Sequence, residues 1–350
     1  MSTQQSESIE MGRDVVIDGF SGSHTSLAAL PGGGFVVAGH ESVVATNADG
    51  KVLWRYDEAD AKGALPGPQA EFLGVVPLSN GNVLLCGYKQ SGKQLRALLT
   101  ILDGAGHLVE ERLLQPPGPG DSFLAKFNLC FRWGDGIAVI GGGAKDMVGV
   151  SWLMKLDGNG VKQWEIVDQR LDAVDAIETA DHNLVMAANG VMPRTTNLIR
   201  VNPQGQVVTM KAFAGFPDKL VRPAAPTSTL KVLTNVDSAN TAIVTLNDKL
   251  EEIASPQPTI IRMTINGCAW ALPDGSVAVF GNAFAQGGVY RSVVARIGPG
   301  NRPAGARAFA LPTPQSVSAS VWDALPISAR TFVAVRELNN IAVLSWVTFK

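Results

Sequence analysis

Two histidines near the amino terminus are the side chains best suited to acid–base chemistry. His24 precedes the apolar run SLAAL, and His40 follows the apolar run FVVAG. If these runs are neighbouring antiparallel strands, the start of the first lies beside the end of the second, so both imidazoles meet at one rim. Imidazole titrates near neutral pH, so the pair could serve as acid and base. His24 and His40 are therefore the catalytic candidates under an enzymatic interpretation. With no third ligand identifiable, we predict no metal site.

Two other segments are similar to ligand-binding motifs. Residues 87–94 (GYKQSGKQ) match a phosphate-binding loop except that Gln94 replaces the Ser or Thr that binds magnesium. Residues 157–160 (DGNG) match the start of a calcium loop, but the required downstream Glu is missing. Gly, Asn and Asp are also the usual residues of tight turns, so both segments favour connections between strands. We predict no metal or nucleotide cofactor.

The composition limits the partners. Only 17% of the 350 residues are charged, 46% are hydrophobic, and the net charge is -2. Globular proteins average about 25% charged residues, so this chain is expected to bury a large core and to carry a weakly charged surface. A net charge this close to zero provides no attraction for nucleic acid or an anionic membrane. No apolar run reaches the roughly 18 residues of a membrane span. We predict neither nucleic acid nor membrane as a partner.

Cysteine usage indicates the compartment. Cys86, Cys130 and Cys268 are odd in number, far apart in sequence, and each lies in an apolar run. They are expected to be buried thiols in a reducing environment. Residues 1–12 are polar and lack the apolar segment of a secretory signal. We therefore expect a cytoplasmic protein with a disordered tail over residues 1–12 and one domain over residues 13–350; its oligomeric state is open.

Turn signals recur down the chain and define a repeat. The first series lies at residues 32–34, 80–81, 135–136, 181–183, 226–229, 274–275 and 327–330. Six steps from the first to the last of these turns average about 49 residues, the size of a four-stranded propeller blade. A second series of turns follows each of the first six, flanked by short alternating apolar runs typical of hairpins. The sequence therefore predicts an all-β fold of seven four-stranded antiparallel blades.

The predicted blades cover about residues 23–57, 70–114, 126–168, 171–213, 219–254, 263–311 and 317–349. The last blade has only three strands, whereas residues 14–18 (DVVID) form a strand with no partner of its own. If this strand completes blade 7, the ring closes without an exposed edge.

The repeat resembles a known superfamily. An Asp-Gly or Asn-Gly turn is followed by Trp at Gly50 to Trp54 and at Gly160 to Trp164, and residues 272–275 read LPDG. These features resemble the PQQ-like, or quinoprotein-like, β-propellers. The resemblance implies the propeller fold. It implies no quinone, because the adjacent Cys-Cys pair that the dehydrogenases place against the cofactor is missing and the chain has seven units where they typically have eight.

Propellers usually bind through the face made by their B–C and D–A loops. Aromatic, Met and Arg side chains are enriched in protein interfaces, and this face should carry several of them. The predicted contact residues for another protein are Tyr88, Lys89, Lys93, Met147, Arg194, Phe284, Tyr290, Arg291 and Arg336. A non-catalytic, protein-binding propeller is the first hypothesis. The alternative is a lyase or hydrolase that acts on a small sugar or peptide in the central funnel, with His24 or His40 as base.

Overall fold

The described part of the chain consists of β-strands joined by turns and loops. The computed structural model describes residues 8–21, 24–58, 70–92, 94–117, 124–145, 148–168, 171–190, 195–214, 216–223, 229–235, 241–259, 263, 265, 267–285, 289–300, 302–309, 319–339 and 341–350. None of these residues belongs to a helix that is long and apolar enough to cross a lipid bilayer. The chain divides into two compact units, which are described separately.

Unit 2 contains residues 19–173 and 202–206 and holds three four-stranded antiparallel sheets. Blade 1 is β2 (Ser26–Ala29), β3 (Phe35–Ala38), β4 (Ser42–Thr46) and β5 (Val52–Asp57). Blade 2 is β6 (Ala70–Pro77), β7 (Val83–Ser91), β8 (Gln94–Leu102) and β9 (Leu108–Leu114). Blade 3 is β10 (Leu124–Trp133), β11 (Gly136–Lys145), β12 (Val148–Leu156) and β13 (Lys162–Asp168).

Unit 1 contains residues 1–18, 174–201 and 207–350. Blade 4 is β14 (Leu171–Glu178), β15 (Leu184–Gly190), β16 (Thr195–Val201) and β17 (Val207–Ala214). Blade 5 is β18 (Phe216–Arg222), β19 (Leu230–Asn235), β20 (Thr241–Leu246) and β21 (Glu252–Thr259). Blade 6 is β22 (Ala269–Ala271), β23 (Val277–Ala285), β24 (Val289–Gly298) and β25 (Arg302–Ala308). Blade 7 contains β26 (Ala319–Pro326), β27 (Thr331–Leu338) and β28 (Ile341–Phe349).

The amino-terminal strand completes blade 7. Strand β1 (Ile9–Ser21) pairs with β28, so the strand order of the sheet is β1-β28-β27-β26. The amide of Lys350 donates to the carbonyl of Ser8 at 2.9 Å, and Gly12 packs on Trp346, as expected for an antiparallel pair. In the part of the chain that the structure describes, the strands form seven four-stranded units, and β1 completes the last of them as predicted. The strand begins at Ile9, earlier than the predicted start at Asp14, because Ile9 is buried in the apolar cluster of this blade.

A buried arginine connects β1 to the rest of blade 7. Arg336 is fully buried on β27, and its Nη2 donates to Oδ2 of Asp14 on β1 at 2.8 Å. Its Nε donates to Oγ of Ser345 on β28 at 2.7 Å, and its guanidinium lies over the ring of Phe309 at 4.6 Å. Hydrogen bonds from one side chain therefore join three of the four strands of the sheet. Burial lowers the pKa of Arg336, and the charge of Asp14 partly offsets that effect.

Blades 5 and 6 share one eight-stranded sheet, which the turn pattern did not predict. Strand β18 runs parallel to β22 through the pairs Val221 with Ala269 and Arg222 with Trp270. Nη1 of Arg222 lies 3.2 Å from Oδ1 of Asp323. This ion pair extends the contact from blade 5 to blade 7 within unit 1.

Two of the repeated tryptophans cover glycine turns of the next blade. Trp54 of blade 1 lies on Gly106, where a Cβ would come within 2.6 Å of the indole ring. Trp164 of blade 3 lies on Gly205, and its Nε1 donates to the carbonyl of Pro203 at 3.1 Å. Both glycines have positive φ, +88° and +82°, so the site requires glycine for its backbone and for the close approach of the ring. These contacts explain the Trp that follows the Asp-Gly and Asn-Gly turns in the sequence.

The three cysteines are buried, as predicted, and two of them meet. Cys86 on β7 and Cys130 on β10 lie side by side at Gly74, where an added Cβ would come within 2.7 Å of Cys86 Sγ and 2.8 Å of Cys130 Sγ. Burial, followed by the contact with Cys130, raises the pKa of the Cys86 thiol. The pair therefore behaves as apolar core between blades 2 and 3.

Removing β1 tests the completion of blade 7. A chain that begins at residue 19 loses Ile9, Asp14 and Ile17 and exposes the edge of β28, so its midpoint of thermal unfolding should fall markedly. A chain that begins at residue 8 keeps the whole strand and should unfold within a few degrees of the full-length protein. Scanning calorimetry measures both midpoints; equal stability of the two truncations would contradict the role given to β1.

Candidate functional site

A cluster of polar side chains lies in unit 2 where blades 1 and 2 meet. The loop from β3 to β4 carries Gly39, His40 and Glu41, and the first residues of β6 brace it. The amide of Glu41 donates to the carbonyl of Ala70 at 3.2 Å, and the amide of Phe72 donates to the carbonyl of Gly39 at 3.3 Å. His40 and Glu71 are joined by an isolated β-bridge. The loop therefore extends the sheet of blade 2 toward blade 1.

Glu71 is the centre of the cluster. Its Oε1 lies 3.1 Å from Nδ1 of His24, and its Oε2 accepts a hydrogen bond from the hydroxyl of Tyr88. The Glu71 side chain is 11% exposed, whereas His24 is 56% exposed. The carboxylate thus lies beneath the imidazole and fixes the ring by one nitrogen, while the imidazole stands at the surface.

Two strained backbone positions hold this arrangement. His24 has φ +60° and Glu41 has φ +58°, in the left-handed region that costs a non-glycine residue roughly 1–3 kcal/mol. Such conformations persist where surrounding contacts fix them, and they cluster at functional sites. Here the amide of Glu58 donates to the carbonyl of Glu41 at 2.8 Å and fixes the loop from the side of blade 1.

The environment keeps Glu71 ionised and Tyr88 protonated. Burial alone would raise the pKa of Glu71, but hydrogen bonds from His24 and Tyr88 and the nearby charges of His24 and His40 hold that pKa below its usual value. Burial and the hydrogen bond to Glu71 raise the pKa of Tyr88 to about 12. Glu71 is therefore an anion that positions a histidine, and Tyr88 is a neutral donor.

The next residue of β7, Lys89, faces the opposite side of the strand and forms a buried ion triad. Its Nζ contacts Oε1 of Glu58 and lies 3.0 Å from Oε2 of Glu111. The Lys89 side chain is 9% exposed, and Glu58 is almost completely buried. The hydroxyl of Tyr56 donates to the second oxygen of Glu58 at 2.6 Å. One lysine thus joins β9 to the end of blade 1.

Attraction between one ammonium group and two carboxylates stabilises the triad. Burial by itself would lower the pKa of Lys89, but hydrogen bonds and charge attraction from Glu58 and Glu111 raise it. Removing one member of a buried ion group leaves the other charges buried without a partner, which typically lowers the free energy of unfolding by about 3–5 kcal/mol. Lys89 therefore has a structural role in fixing the two blades beneath the cluster around Glu71.

The structure places the predicted site residues in different environments. His24 and His40 meet at Glu71, on one rim of blade 1 as expected. Tyr88 is half-buried and contacts Glu71. Both Lys89 and Arg336 are buried, whereas Arg291 on β24 is exposed. Phe284 and Tyr290 pair across β23 and β24, but their side chains lie outside the described part. Lys93, Met147 and Arg194 lie outside the described residues.

Sequence reasoning missed the three glutamates. Glu71 was hidden in the apolar strand AEFLGVVP, and Glu58 follows directly after β5. For Glu71 the available signal was its place inside an otherwise apolar strand, because a charged residue there is rarely buried without a partner. Among the residues that the structure describes, no group of three or more His, Cys, Asp and Glu side chains is arranged to hold a metal ion.

Comparison with known proteins identifies the fold. No protein-family model matches the sequence, and no curated protein matches it. BBS1N, solved in complex with ARL6DN, is 9% identical, with a TM-score of 0.60 over 99% of this chain and 98% of that one. The β-propeller domain of Myceliophteria thermophila Cps50 (Swd1) is 11% identical, with a TM-score of 0.56 over 95% and 99%. Chaetomium thermophilum Raptor is 10% identical, with a TM-score of 0.62 over 97% of this chain and 30% of that one. The chain has a β-propeller fold.

Replacing Lys89 tests the ion triad. Lys89→Met leaves Glu58 and Glu111 facing each other without a counter-charge, so the free energy of unfolding should fall by about 3 kcal/mol. Urea unfolding at pH 7 measures the change. Lys51→Met, at an exposed position in the turn before β5, is the matched control and should change stability by less than about 0.5 kcal/mol. Equal losses of unfolding free energy in the two variants would show that the triad does not stabilise the fold.

Acid sensitivity tests the state of Glu71. A carboxyl whose pKa is lowered on folding stabilises the protein above its unfolded pKa, and this contribution declines as the pH falls from 4.5 through the lowered value. Glu71→Gln has no such titration. The difference in unfolding free energy between wild type and Glu71→Gln should therefore be largest at neutral pH and should shrink as the pH falls below 4.5. Urea titrations at several pH values measure it, and a pH-independent difference would contradict the assignment.

Proposed function

We propose that this protein is a non-catalytic β-propeller that binds another protein through its loop face. The observation that carries the proposal is the braced cluster of His24, Glu71 and Tyr88. Its carboxylate is already satisfied by His24 and Tyr88, the exposed imidazole of His24 is held on a strained backbone, and the half-buried phenol of Tyr88 is held on strand β7. A rigid aromatic surface of this kind loses little conformational entropy on association, which favours docking.

The fold comparison gives further support, by analogy alone. BBS1N was solved with ARL6DN bound, so a propeller that covers nearly the same length as this chain can hold a protein partner. Propellers host many functions, and the analogy raises the expectation of a protein ligand without identifying it. The weak net charge of the chain also favours a contact based on packing over one based on charge attraction.

The predicted contact residues have different roles in this proposal. Tyr88 is the proposed anchor in unit 2, and Arg291 is the exposed member in unit 1. The other proposed contacts are Lys93, Met147, Arg194, Phe284 and Tyr290. Lys89 and Arg336 support the face from within, because both are buried in ion pairs. We further propose that the protein is a PQQ-like propeller of the cytoplasm that acts without a metal, quinone or nucleotide.

One observation favours the enzymatic alternative. Glu71 contacts Nδ1 of His24, and the imidazole is 56% exposed. A carboxylate that orients a histidine in this way is the arrangement of a general base, as a lyase or hydrolase would need. In that case His24 is the base, Glu71 is the positioning residue, and Tyr88 keeps the carboxylate in place.

Partner capture with matched variants tests the proposed function. The wild-type protein and Tyr88→Ala are immobilised, native cell extract is passed over both, and bound proteins are quantified by mass spectrometry. Tyr88→Ala should retain less of a specific partner than the wild-type protein does. The loss of an aromatic anchor worth about 1–3 kcal/mol weakens the affinity by about 5- to 150-fold. Asn80→Ala and Asn159→Ala, in exposed turns at the other end of blades 2 and 3, should retain it.

The same variants separate the two functions. A protein whose retention depends on Asn80 and ignores Tyr88 would contradict the loop face. Turnover of a small sugar derivative or peptide that is lost in His24→Gln and unaffected by Asn80→Ala would replace the binding function with the enzymatic one. His24→Gln keeps a hydrogen bond to Glu71 while removing the base, so its loss of activity would reflect chemistry and not folding.

A further inference from the structure

Unit 1 contains a cavity between the turns of blades 4 and 5. It has a volume of about 190 Å³. Its apolar wall includes Val185, Leu230 and Leu250, and its polar side includes Asp181, Arg200 and Asp248. Val185 and Arg200 are cross-strand partners on β15 and β16, so both side chains point to the same face of the sheet. Apolar walls with a few convergent polar groups are typical of small-ligand sites.

Arg200 has a donor that the described protein atoms leave unused. Its side chain is 9% exposed, and its Nη2 is paired with Oδ2 of Asp181. Its Nε is buried and has no hydrogen-bond partner among the residues that the structure describes. A buried donor without an acceptor typically costs about 1–3 kcal/mol, so an oxygen atom at this position would be stabilising.

The equivalent arginine in blade 6 has the hydrogen-bond acceptor that Nε of Arg200 lacks within the described part of the chain. Arg296 and Asp274 occupy the same repeat positions as Arg200 and Asp181, and Arg296 Nη2 likewise pairs with Asp274. In blade 6, however, Arg296 Nε donates to Oγ of Ser276 at 3.1 Å. Blade 4 has Asn183 at the position of Ser276, and the amide of Asn183 donates to Asp181 at 2.7 Å. The internal acceptor of the repeat is therefore replaced in blade 4 by a cavity.

The charges around the cavity select a neutral ligand. Burial would raise the pKa of Asp181, but hydrogen bonds from Thr179 and Arg200 and the charge of Arg200 hold it below its usual value, so the carboxylate stays ionised. Asp181 thus neutralises Arg200, and Asp248 adds a negative charge at the exposed edge. This excess negative charge would repel a carboxylate or a phosphate, but it would not repel a neutral group that presents a carbonyl oxygen. Asp248 in turn favours a ligand that also presents an N–H donor.

We propose that this cavity binds a short peptide segment by one aliphatic residue. The aliphatic side chain packs on Val185, Leu230 and Leu250, a main-chain carbonyl accepts from Nε of Arg200, and a main-chain N–H faces Asp248. The site is built from turns of blades 4 and 5 in unit 1, and it shares no residue with the proposed docking surface around Glu71 in unit 2. It gives the protein a second contact for an extended chain.

NMR spectroscopy tests this directly with N-acetyl-L-leucine N′-methylamide as the probe. Its about 13 non-hydrogen atoms predict a Kd on the order of 1 mM at the ligand efficiency of drug-sized molecules. The guanidinium Nε–Hε signal of Arg200, identified by its absence in Arg200→Lys, should shift saturably with the probe. The Nε–Hε signal of Arg296 is the internal control and should stay in place, because Ser276 already accepts that hydrogen bond.

Two variants and a second probe complete the test. Arg200→Lys, which loses Nε, should weaken binding by about tenfold or more. Asp248→Asn, at an exposed position that the fold tolerates, should weaken it several-fold. Sodium acetate should bind more weakly than the amide. A lower Kd for acetate than for the amide would overturn the proposed ligand class. The absence of a saturable shift of Arg200 with the amide up to about 20 mM, well above the predicted Kd, would overturn the site.

Discussion

The pairing of the first strand with the last is the constraint on which unit 1 depends. Without β1, the backbone groups of β28 would form an open edge, and the guanidinium of Arg336 would lose the carboxylate of Asp14, 322 residues away in the sequence. Backbone donors and acceptors within a sheet must be satisfied, so the pairing of β1 with β28 stabilises both strands. Arg336 adds a charge-assisted bond to the same pairing, and Ile9 and Ile17 add apolar burial.

Although few residues of this chain are charged, several of the charged residues are buried in ion pairs. Lys89, Arg200, Arg222 and Arg336 are each buried or half-buried next to a carboxylate. Lys89 and Arg222 join different blades, Arg336 joins β27 to β1, and Arg200 joins β16 to a turn of its own blade. A buried charge is costly unless it is paired, so every such residue restricts which strands can be neighbours. The apolar strands of the blades are similar to one another, and the ion pairs of Lys89 and Arg222 distinguish one blade contact from the next. This is the specificity that an apolar repeat lacks by itself.

The same principle connects the two proposed sites. At Glu71, the buried carboxylate is fully used by His24 and Tyr88, and the exposed surface above it is consequently fixed in shape. At Arg200, one donor is left over, and a cavity lies beside it. A saturated network gives a rigid surface for packing, whereas an unsaturated donor in a cavity specifies a ligand atom. At one position of the repeat, blade 6 has Ser276, which accepts from Nε of Arg296, whereas blade 4 has Asn183, which bonds Asp181 instead.

The all-β class, the four-stranded units and the completion of blade 7 could be predicted from the sequence, because turn residues and alternating apolar runs act over a few residues and are visible in the chain. The sequence also brought His24 and His40 to one rim, since a hairpin fixes that proximity locally. Glu71 between them, the burial of Lys89 and Arg336, the contact of Cys86 with Cys130, and the unused donor of Arg200 depended on the tertiary structure. Each is set by which side chain from another strand or blade lies opposite, and pairings across tens to hundreds of residues leave no local pattern from which one chain could reveal them.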